Sequence, residues 1–325
     1  MVETATERAV RIEPAWDDPD AVLSSVRDVE QYWPIARYAG SEEEVTATGG
    51  AQATTYVPPW FRCDFAIDGR PLVPGADRIL HNDRFLAGAR DLFGNEASVS
   101  PTTVYVNVML PSVVPFVPHL DVPAFRGFTR NDHPVWLLKT MLESGLFERW
   151  RVTLATAVSW FYDGPGGAFH YWPNGPRGPV AIVEPPFENV AVLADNERTY
   201  HGVATVGGDD VPFVRGLTHD SRLVRVDGGW EMRNDGAVLG TGSDDDVRIA
   251  VSWKAEVFPD HEARDRALDH DDDLTLALVV DTFIDDLRSR GLDAATPDDP
   301  HRDPDWIRLL GQSYPPTTPS VPIAD

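Results

Sequence analysis

The sequence contains little cysteine and little lysine, and each scarcity excludes a class of site. Cys63 is the only cysteine in 325 residues, which excludes an internal disulfide and any zinc site built on paired thiolates. A metal ion would have to be held by histidine and carboxylate side chains. Lys139 and Lys254 are the only lysines, so nearly all positive charge is carried by arginine.

Positive charge and long apolar runs are scarce as well. Lysine and arginine number 28 against 52 aspartates and glutamates, for a formal net charge of −24. Such a chain repels a phosphate backbone, so we expect no nucleic-acid partner. No segment approaches the roughly 18 consecutive apolar residues of a membrane span, and the first residues lack the apolar run of a signal peptide. With a single thiol, these features predict a cytoplasmic protein that does not bind membranes.

The hydrophobic period changes twice along the chain. Helical spacing predicts amphipathic helices over about 17–32 and 83–94, and a third over about 274–287. Between Thr102 and about Phe258 the chain instead reads as short alternating segments separated by glycine and proline turns. We therefore expect an all-β region with helices on either side of it.

The alternating segments predict strands that form a double-sheet antiparallel barrel. Residues 103–109 alternate strictly and place Tyr105 and Asn107 on one face. Further strands are predicted at 151–162, 180–183, 190–194, 202–206, 222–226 and 247–258. The predicted fold is mainly β with flanking helices around a jelly-roll, cupin-like core. It divides into an N-terminal flank (1–99), a core (100–258, with an insertion at about 208–245) and a C-terminal helical extension with a tail (259–325).

Four His-x-Asp patterns occur, and their context separates them. In an extended chain this pattern points both side chains to the same side, as a metal site requires. The pattern at 81–83 lies at the expected N-cap of a helix. The pattern at 270–272 lies in an acidic run, and the pattern at 301–303 lies in a polar tail region. Only His119-Leu-Asp121 follows a strong strand inside the β region, although a surface ion pair or a turn would also explain it.

A third ligand would have to come from a distant strand. His201 follows an apolar segment and a polar turn, which is where a ligand from the second sheet is expected, although a satisfied buried histidine is the alternative. Two histidines and one carboxylate leave adjacent positions free on a redox-active iron ion.

The last segment of the β region carries basic residues on one predicted face. Period two places Arg248, Ser252 and Lys254 together. A buried arginine inside a barrel requires an anionic partner, and a dicarboxylate co-substrate would be one. The alternative is a surface ion pair between Arg248 and one of the aspartates at 244–246.

In the order of His119, Asp121, His201 and Arg248, residues 100–258 resemble the iron(II)- and 2-oxoglutarate-dependent oxygenases, and locally their prolyl-hydroxylase-like branch. The resemblance implies a double-stranded β-helix core, Fe(II) bound by the first three residues, and 2-oxoglutarate and O2 as co-substrates. It implies hydroxylation of an unactivated C–H bond of an amino-acid-derived or natural-product small molecule, with succinate and CO2 as co-products. Chlorination is disfavoured because Asp121 stands where the family's halogenases have a small residue, whereas desaturation and ring formation stay open.

One spacing departs from the family. The basic residue for the far carboxylate of 2-oxoglutarate usually lies close behind the distal histidine, whereas Arg248 lies 47 positions beyond His201. Arg215, 14 positions beyond, is therefore a rival, and Lys254 is a third candidate. By the same resemblance, Tyr105 and Asn107 would contact the co-substrate, with Ser252 beside Arg248.

The candidates for substrate contact come from aromatic residues. The aromatic segment 166–172 suggests contacts from His170 and Trp172, and Phe125 is a further candidate, although core packing explains such aromatics equally well. Two other functions stay open: a cupin-type metalloenzyme that does not use 2-oxoglutarate, and a non-catalytic jelly-roll binding protein. Surface-facing basic strand residues would favour the former, and failure to bind any divalent metal would favour the latter. Motifs for phosphate loops, serine hydrolases and zincins are absent from the sequence.

Overall fold

The computed structural model describes residues 9–38 and 56–319, and it contains two antiparallel sheets with helices packed around them. In chain order the strands are β1 Val10–Ile12, β2 Gln31–Pro34, β3 Trp60–Ile67, β4 Arg70–Pro71, β5 Ser98–Met109, β6 Phe116–His119, β7 Ala124–Phe125, β8 Arg151–Phe161, β9 Phe169–Tyr171, β10 Ala181–Val183, β11 Ala191–Ala194, β12 His201–Val203, β13 Arg222–Val226, β14 Gly229–Asn234, β15 Ala237–Ser243 and β16 Arg248–Phe258. The α-helices are α1 Pro19–Arg27, α2 Ala76–Leu80, α3 Asp83–Phe93, α4 Val135–Ser144, α5 His261–Leu268, α6 Leu276–Ser289 and α7 Pro304–Ser313.

The strand order is that of a jelly roll with an extended first sheet. The larger sheet runs β1-β11-β8-β16-β5-β3-β2-β13-β14-β15, and the smaller runs β10-β9-β12-β6. Strands β11, β8, β16 and β5 form the layer opposite the smaller sheet, because side chains from both layers share one hydrophobic cluster and line one cavity. The predicted fold class, mainly β with flanking helices and a jelly-roll core, is confirmed.

Strand β16 has the predicted alternation of faces. It pairs with β5 on one side and β8 on the other. Its residues Ile249, Val251 and Trp253 belong to the core cluster under the N-terminal helices, and the indole of Trp253 donates to the carbonyl of Leu80 at 2.7 Å. The opposite face, which begins with Arg248, is therefore directed between the two sheets.

The residues between β12 and β16 form a three-stranded meander at the far edge of the larger sheet. Strand β13 pairs with β2 and β14, and β14 pairs with β15. This meander extends the sheet beyond β2, so it leaves the position between β5 and β8 free. Strand β16 occupies that position. The long spacing from His201 to Arg248 is thus compatible with a jelly-roll core.

Two helix boundaries differ from the prediction. The first predicted helix ends at Arg27, and Tyr32 belongs to β2. The N-cap of α3 is Asn82, whose side chain accepts from the amides of Arg84 and Phe85, so Asp83 is the first helical residue and not the cap. Helix α6 begins after Thr275 and ends near the predicted stop at Gly291. The end of the predicted tail, residues 320–325, lies outside the described residues.

The helices form a second hydrophobic cluster on the flank of the core. Side chains of α4, α6 and α7 pack around Phe283 and Phe147, together with Phe125 from β7. None of the helices within 9–38 and 56–319 combines the length and the apolar character needed to cross a bilayer.

Candidate metal site and adjoining cavity

Two histidines meet across neighbouring strands of the smaller sheet. His119 is the last residue of β6 and His201 the first of β12, and the two are paired in register. Their ring centroids are 4.4 Å apart. Potential ligand atoms of His119, Asp121 and His201 all lie within 4.8 Å of one another. In the described part of the chain, this is the one group of three or more such side chains found close enough to hold a metal ion.

The backbone orients both imidazoles. Nδ1 of His119 lies 2.9 Å from the carbonyl oxygen of Val117, and Nδ1 of His201 lies 3.0 Å from that of Thr199. A carbonyl oxygen can only accept, so each Nδ1 carries the proton and each Nε2 keeps a free lone pair. Loss of hydration, with the neighbouring His201, lowers the pKa of His119 to about 3, which keeps this ring neutral and able to bind a metal.

Asp121 is held so that its two oxygens face different partners. Oδ2 accepts a hydrogen bond from Nζ of Lys254 at 2.6 Å, while Oδ1 lies 3.8 Å from Nε2 of His201. Burial alone would raise the pKa of Asp121, but the ammonium of Lys254 and the two histidines lower it below its usual value. The carboxylate is therefore ionised and offers one oxygen toward the imidazoles. Lys254 is occupied by this contact, which leaves it poorly placed for the far carboxylate of 2-oxoglutarate.

Arg248 is a buried guanidinium, and no carboxylate of residues 9–38 and 56–319 lies within ion-pair distance of it. Its residue is 1% exposed, Nε donates to the carbonyl of Gly167 at 2.7 Å, and one terminal nitrogen has no hydrogen-bond partner. Burial lowers the pKa of Arg248 to about 9. The alternative of an ion pair with the 244–246 segment does not occur, because none of these three carboxylates lies within 4.0 Å of the guanidinium. Asp244 pairs with Arg225, and Asp246 accepts from Ser243.

The three candidate metal ligands and Arg248 line the same cavity between the sheets. The cavity measures about 60 Å³. Tyr105, Asn107 and Ser252 line it, in agreement with the predicted faces of β5 and β16. The remaining lining residues are Arg62, Met109, Phe116, Val158, Trp160, Phe169, Asn196, Gly202, Val203 and Ala250.

Arg215, the rival of Arg248, lies elsewhere. It is exposed, in the segment before the meander, and its guanidinium stacks over the ring of Phe213 at 5.3 Å. It is not among the residues that line the cavity. The structure thus brings Arg248, and not Arg215, to the candidate metal site.

The three predicted substrate residues, His170, Trp172 and Phe125, do not line this cavity. On β9, side chains alternate, so Phe169 faces the cavity while His170 faces a separate surface pocket beside Glu184. Trp172 is buried beyond the end of β9 and is not a lining residue. Phe125 packs in the helical cluster, 6.4 Å from the ring of Phe147.

Several lining residues were not predicted, and Arg62 is the one with the most distinct chemistry. It lies on β3 opposite Asn107 and donates to the amide oxygen of that residue at 2.8 Å. The sequence signal for it is weak, a single arginine among the aromatic residues of segment 60–65. Phe169 lies in the aromatic segment 166–172 that the sequence singled out, although the prediction named its neighbours His170 and Trp172 instead. Phe116, Trp160 and Asn196 had no distinguishing signal, because they lie in segments that read as ordinary strands or turns.

Comparisons with known proteins give remote structural similarity only. No protein-family model and no curated protein sequence matches the chain. The chain is similar to an oxidoreductase of the 2OG-Fe(II) oxygenase family from Burkholderia pseudomallei, at 14% identity and a TM-score of 0.34 over 61% of this chain and 66% of that one, just under two-thirds of its length.

Two further solved structures show similarity of the same order. One is a prolyl hydroxylase in complex with a hypoxia inducible factor peptide from Trichoplax adhaerens, at 12% identity and a TM-score of 0.40 over 80% of this chain and 87% of that one. The other is HygX from Streptomyces hygroscopicus with nickel and 2-oxoglutarate bound, at 10% identity and a TM-score of 0.37 over 77% and 83%. These scores are too low to assign a function, which must come from the site itself.

Proposed function

We propose that this chain is an Fe(II)- and 2-oxoglutarate-dependent oxygenase that hydroxylates an unactivated C–H bond of a small molecule. The observation that supports this proposal is one cavity lined both by a two-histidine, one-carboxylate cluster and by a buried guanidinium that has no counter-ion among the described residues. The first feature is typical of non-haem Fe(II) oxygenases. The second calls for an anionic co-substrate, because an unpaired buried charge is costly.

The side chains present fit an iron ion. Both imidazoles keep Nε2 free, and Asp121 offers a single oxygen because Lys254 binds the other. Three protein ligands would leave positions open for 2-oxoglutarate and O2. Bound iron would supply the electron transfer and dioxygen chemistry that amino-acid side chains cannot provide.

The other lining residues have roles that follow from their chemistry. Arg248 would bind the far carboxylate of 2-oxoglutarate, since a guanidinium matches a carboxylate with two parallel hydrogen bonds. Tyr105 and Ser252 offer hydroxyl groups, and Asn107 keeps its amide NH2 free because its oxygen already accepts from Arg62. Trp160 and Phe169 would keep water away from the co-substrate.

The two alternative functions have less support. A metalloenzyme that does not use 2-oxoglutarate would have no need for Arg248, whose burial in the cavity without a carboxylate is costly. A non-catalytic binding protein would not require two imidazoles oriented through Nδ1 toward one carboxylate oxygen. Neither alternative explains both features together.

Calorimetry with Ni(II), a redox-inert substitute for Fe(II), tests the proposal. Wild type should bind 2-oxoglutarate in the presence of Ni(II). The His119→Ala variant should not bind it under the same conditions. Arg248→Met should weaken the binding by about 30-fold or more, the expected loss for a buried charged pair. Arg215→Met, the matched control at the exposed rival, should leave it unchanged. Equal affinity in wild type and Arg248→Met, or loss in Arg215→Met, would overturn the assignment of Arg248.

A further inference from the structure

We infer that Arg62 binds an anionic group of the primary substrate, so that the chain acts on small-molecule anions. This inference rests on the proposed function, because it counts the metal ion and 2-oxoglutarate as occupants of the same cavity. It names a class of substrate, which the metal site alone does not specify.

The position of Arg62 is set by the register of β3 against β5. Arg62 pairs with Asn107, and Trp60 pairs with Met109. Asn107 and Met109 face the cavity, and so does Arg62, which is partly buried. Its guanidinium therefore lies at the wall of the cavity beside residues that would contact the co-substrate.

The contacts of Arg62 hold its guanidinium in place without neutralising it. Nε donates to the amide oxygen of Asn107 at 2.8 Å, and the guanidinium carbon lies 4.0 Å from the ring centroid of Tyr105 and 5.4 Å from that of Tyr38. In the ranges 9–38 and 56–319, no carboxylate oxygen lies within the 4.0 Å of an ion pair with Arg62. A guanidinium fixed on one side by an amide and two rings keeps its other nitrogens for a ligand.

Asp64 is the nearest acidic side chain on the same strand. Burial raises the pKa of Asp64, and the positive charges of Arg62 and Arg130 lower it in part. The carboxyl group of Asp64 therefore interacts electrostatically with both arginines, although it lies beyond ion-pair distance from each of them. It reduces the positive potential near Arg62 but makes no hydrogen bond that would occupy this guanidinium.

With a metal ion and 2-oxoglutarate bound in the cavity, the positive charge of Arg62 would have no negative partner. Asp121 is neutralised by its contact with Lys254. A divalent metal ion and Arg248 would carry three positive charges against the two negative charges of 2-oxoglutarate, so the co-substrate supplies no negative charge to spare for Arg62. Arg62 would then be the charged lining residue without a partner, on a chain whose net charge of −24 otherwise repels anions. A substrate carboxylate or phosphate would supply that partner through charge-assisted hydrogen bonds.

A panel of matched ligands tests the inference on the full chain loaded with Ni(II) and 2-oxoglutarate. The probes are N-acetyl amino acids with their neutral amides, and sugar phosphates with their parent sugars, followed by ligand-observed NMR. At least one anion should bind wild type about tenfold more tightly than its neutral counterpart, as expected for hydrogen bonds to a charged group. Carboxylates and phosphates form separate arms, so the result also says which anion is preferred.

Three variants make the result specific. Arg62→Gln should remove the preference for the anion, Arg62→Lys should keep part of it, and Arg37→Gln should keep all of it. Arg37 is the control because it is exposed and stacks on Trp33 at 4.3 Å, away from the lining residues. In Arg62→Gln the affinity for 2-oxoglutarate should change less than about threefold, since Arg248 keeps the far carboxylate.

Two outcomes would overturn the inference. The first is that no anion on the panel binds better than its neutral counterpart. The second is that Arg62→Gln weakens 2-oxoglutarate binding as much as Arg248→Met, which would assign Arg62 to the co-substrate. Binding of 2-oxoglutarate to Ni(II)-loaded wild type is measured first, so failure of the proposed function is seen separately from failure of this inference.

Discussion

His119 and His201 are oriented by the same local contact, a hydrogen bond from Nδ1 to a carbonyl two residues earlier in the chain. The sequence predicted both residues as ligands, because the histidine patterns fell at strand ends. It did not predict how their rings are oriented, which depends on the path of the backbone just before each histidine. Nor did it predict that Lys254 would bind Asp121, because that contact joins residues 133 positions apart.

Lys254→Met tests the charge balance at Asp121. Removing the ammonium leaves a carboxylate that is 15% exposed without its partner, which should lower the free energy of unfolding of metal-free protein by about 3–5 kcal/mol. Added Ni(II) should narrow this deficit, because the metal ion replaces the lost positive charge. Chemical denaturation with and without Ni(II) measures both effects. Lys139→Met, at the exposed second lysine, is the control, and equal stability of the two variants would contradict this role of Lys254.

Two buried acidic residues that share one arginine make the stability of the protein depend on pH. Asp195 and Glu197 both approach Nη1 of Arg151, at 2.9 and 3.3 Å, so one guanidinium serves two carboxylates. Burial, and then the charge of Asp195, raise the pKa of Glu197 above its usual value. The folded state therefore binds more protons than the unfolded state above the ordinary glutamate pKa, and the contribution of Glu197 to stability falls as pH rises toward its folded pKa.

Glu197→Gln imitates the protonated acid and should remove this loss. Relative to wild type, its melting temperature should rise between pH 5 and pH 8, by roughly 1–3 °C for each kcal/mol gained in a chain of this size. Differential scanning fluorimetry across this range provides the measurement. The exposed Glu188→Gln serves as control, and a parallel pH profile for the two variants would show that Glu197 is ionised in the folded protein.

Among the secondary-structure elements, the segment before β9 packs closely against β16. This contact holds the side chain of Arg248 in position. Gly167 has a φ of +72°, and a Cβ added there would lie 2.9 Å from Cδ of Arg248. Gly175 has a similar φ of +78° but open space around the added Cβ. Alanine at either position should cost about 1–2 kcal/mol of backbone strain. Only Gly167→Ala should also weaken 2-oxoglutarate binding to Ni(II)-loaded protein, by about tenfold, and equal affinities would contradict the placement of Arg248.

The elements also show what sequence patterns can and cannot predict. Strict alternation in β5 and β16 predicted which of their residues face the cavity. Strand β3 escaped prediction because it is buried on both faces at Phe61 and Trp60, so the alternation of polar and apolar residues that reveals a strand is lost. Strand β9 has three residues, too few for a period to show that His170 faces away. The pairing of β6 with β12, which brings the histidines together, depends on contacts distant in sequence.

At the scale of the whole molecule, the helical flank and the barrel have separate cores. Phe283 is fully buried in the cluster of α4, α6 and α7, whose members do not line the cavity. Phe283→Ala should lower the free energy of unfolding by about 3–5 kcal/mol. Leu278→Ala, on the same helix at a position 39% exposed, should cost less than about 1 kcal/mol.

Binding data on the same two variants separate stability from function. At a temperature where both are folded, each should bind Ni(II) and 2-oxoglutarate as wild type does. Weaker 2-oxoglutarate binding in folded Phe283→Ala would contradict the independence of the two cores and connect the helical flank to the cavity.

Absorbance of the anaerobic protein with Fe(II) and 2-oxoglutarate tests whether His119, Asp121, His201 and Arg248 form one site for both. Wild type should develop the weak visible charge-transfer band of a 2-oxoglutarate chelate, His119→Ala should lack it, and Arg248→Met should need far more 2-oxoglutarate to reach it. A folded wild-type protein that shows no band with both components present, or a band that persists unchanged in His119→Ala, would contradict the assignment of His119, Asp121, His201 and Arg248 to one site.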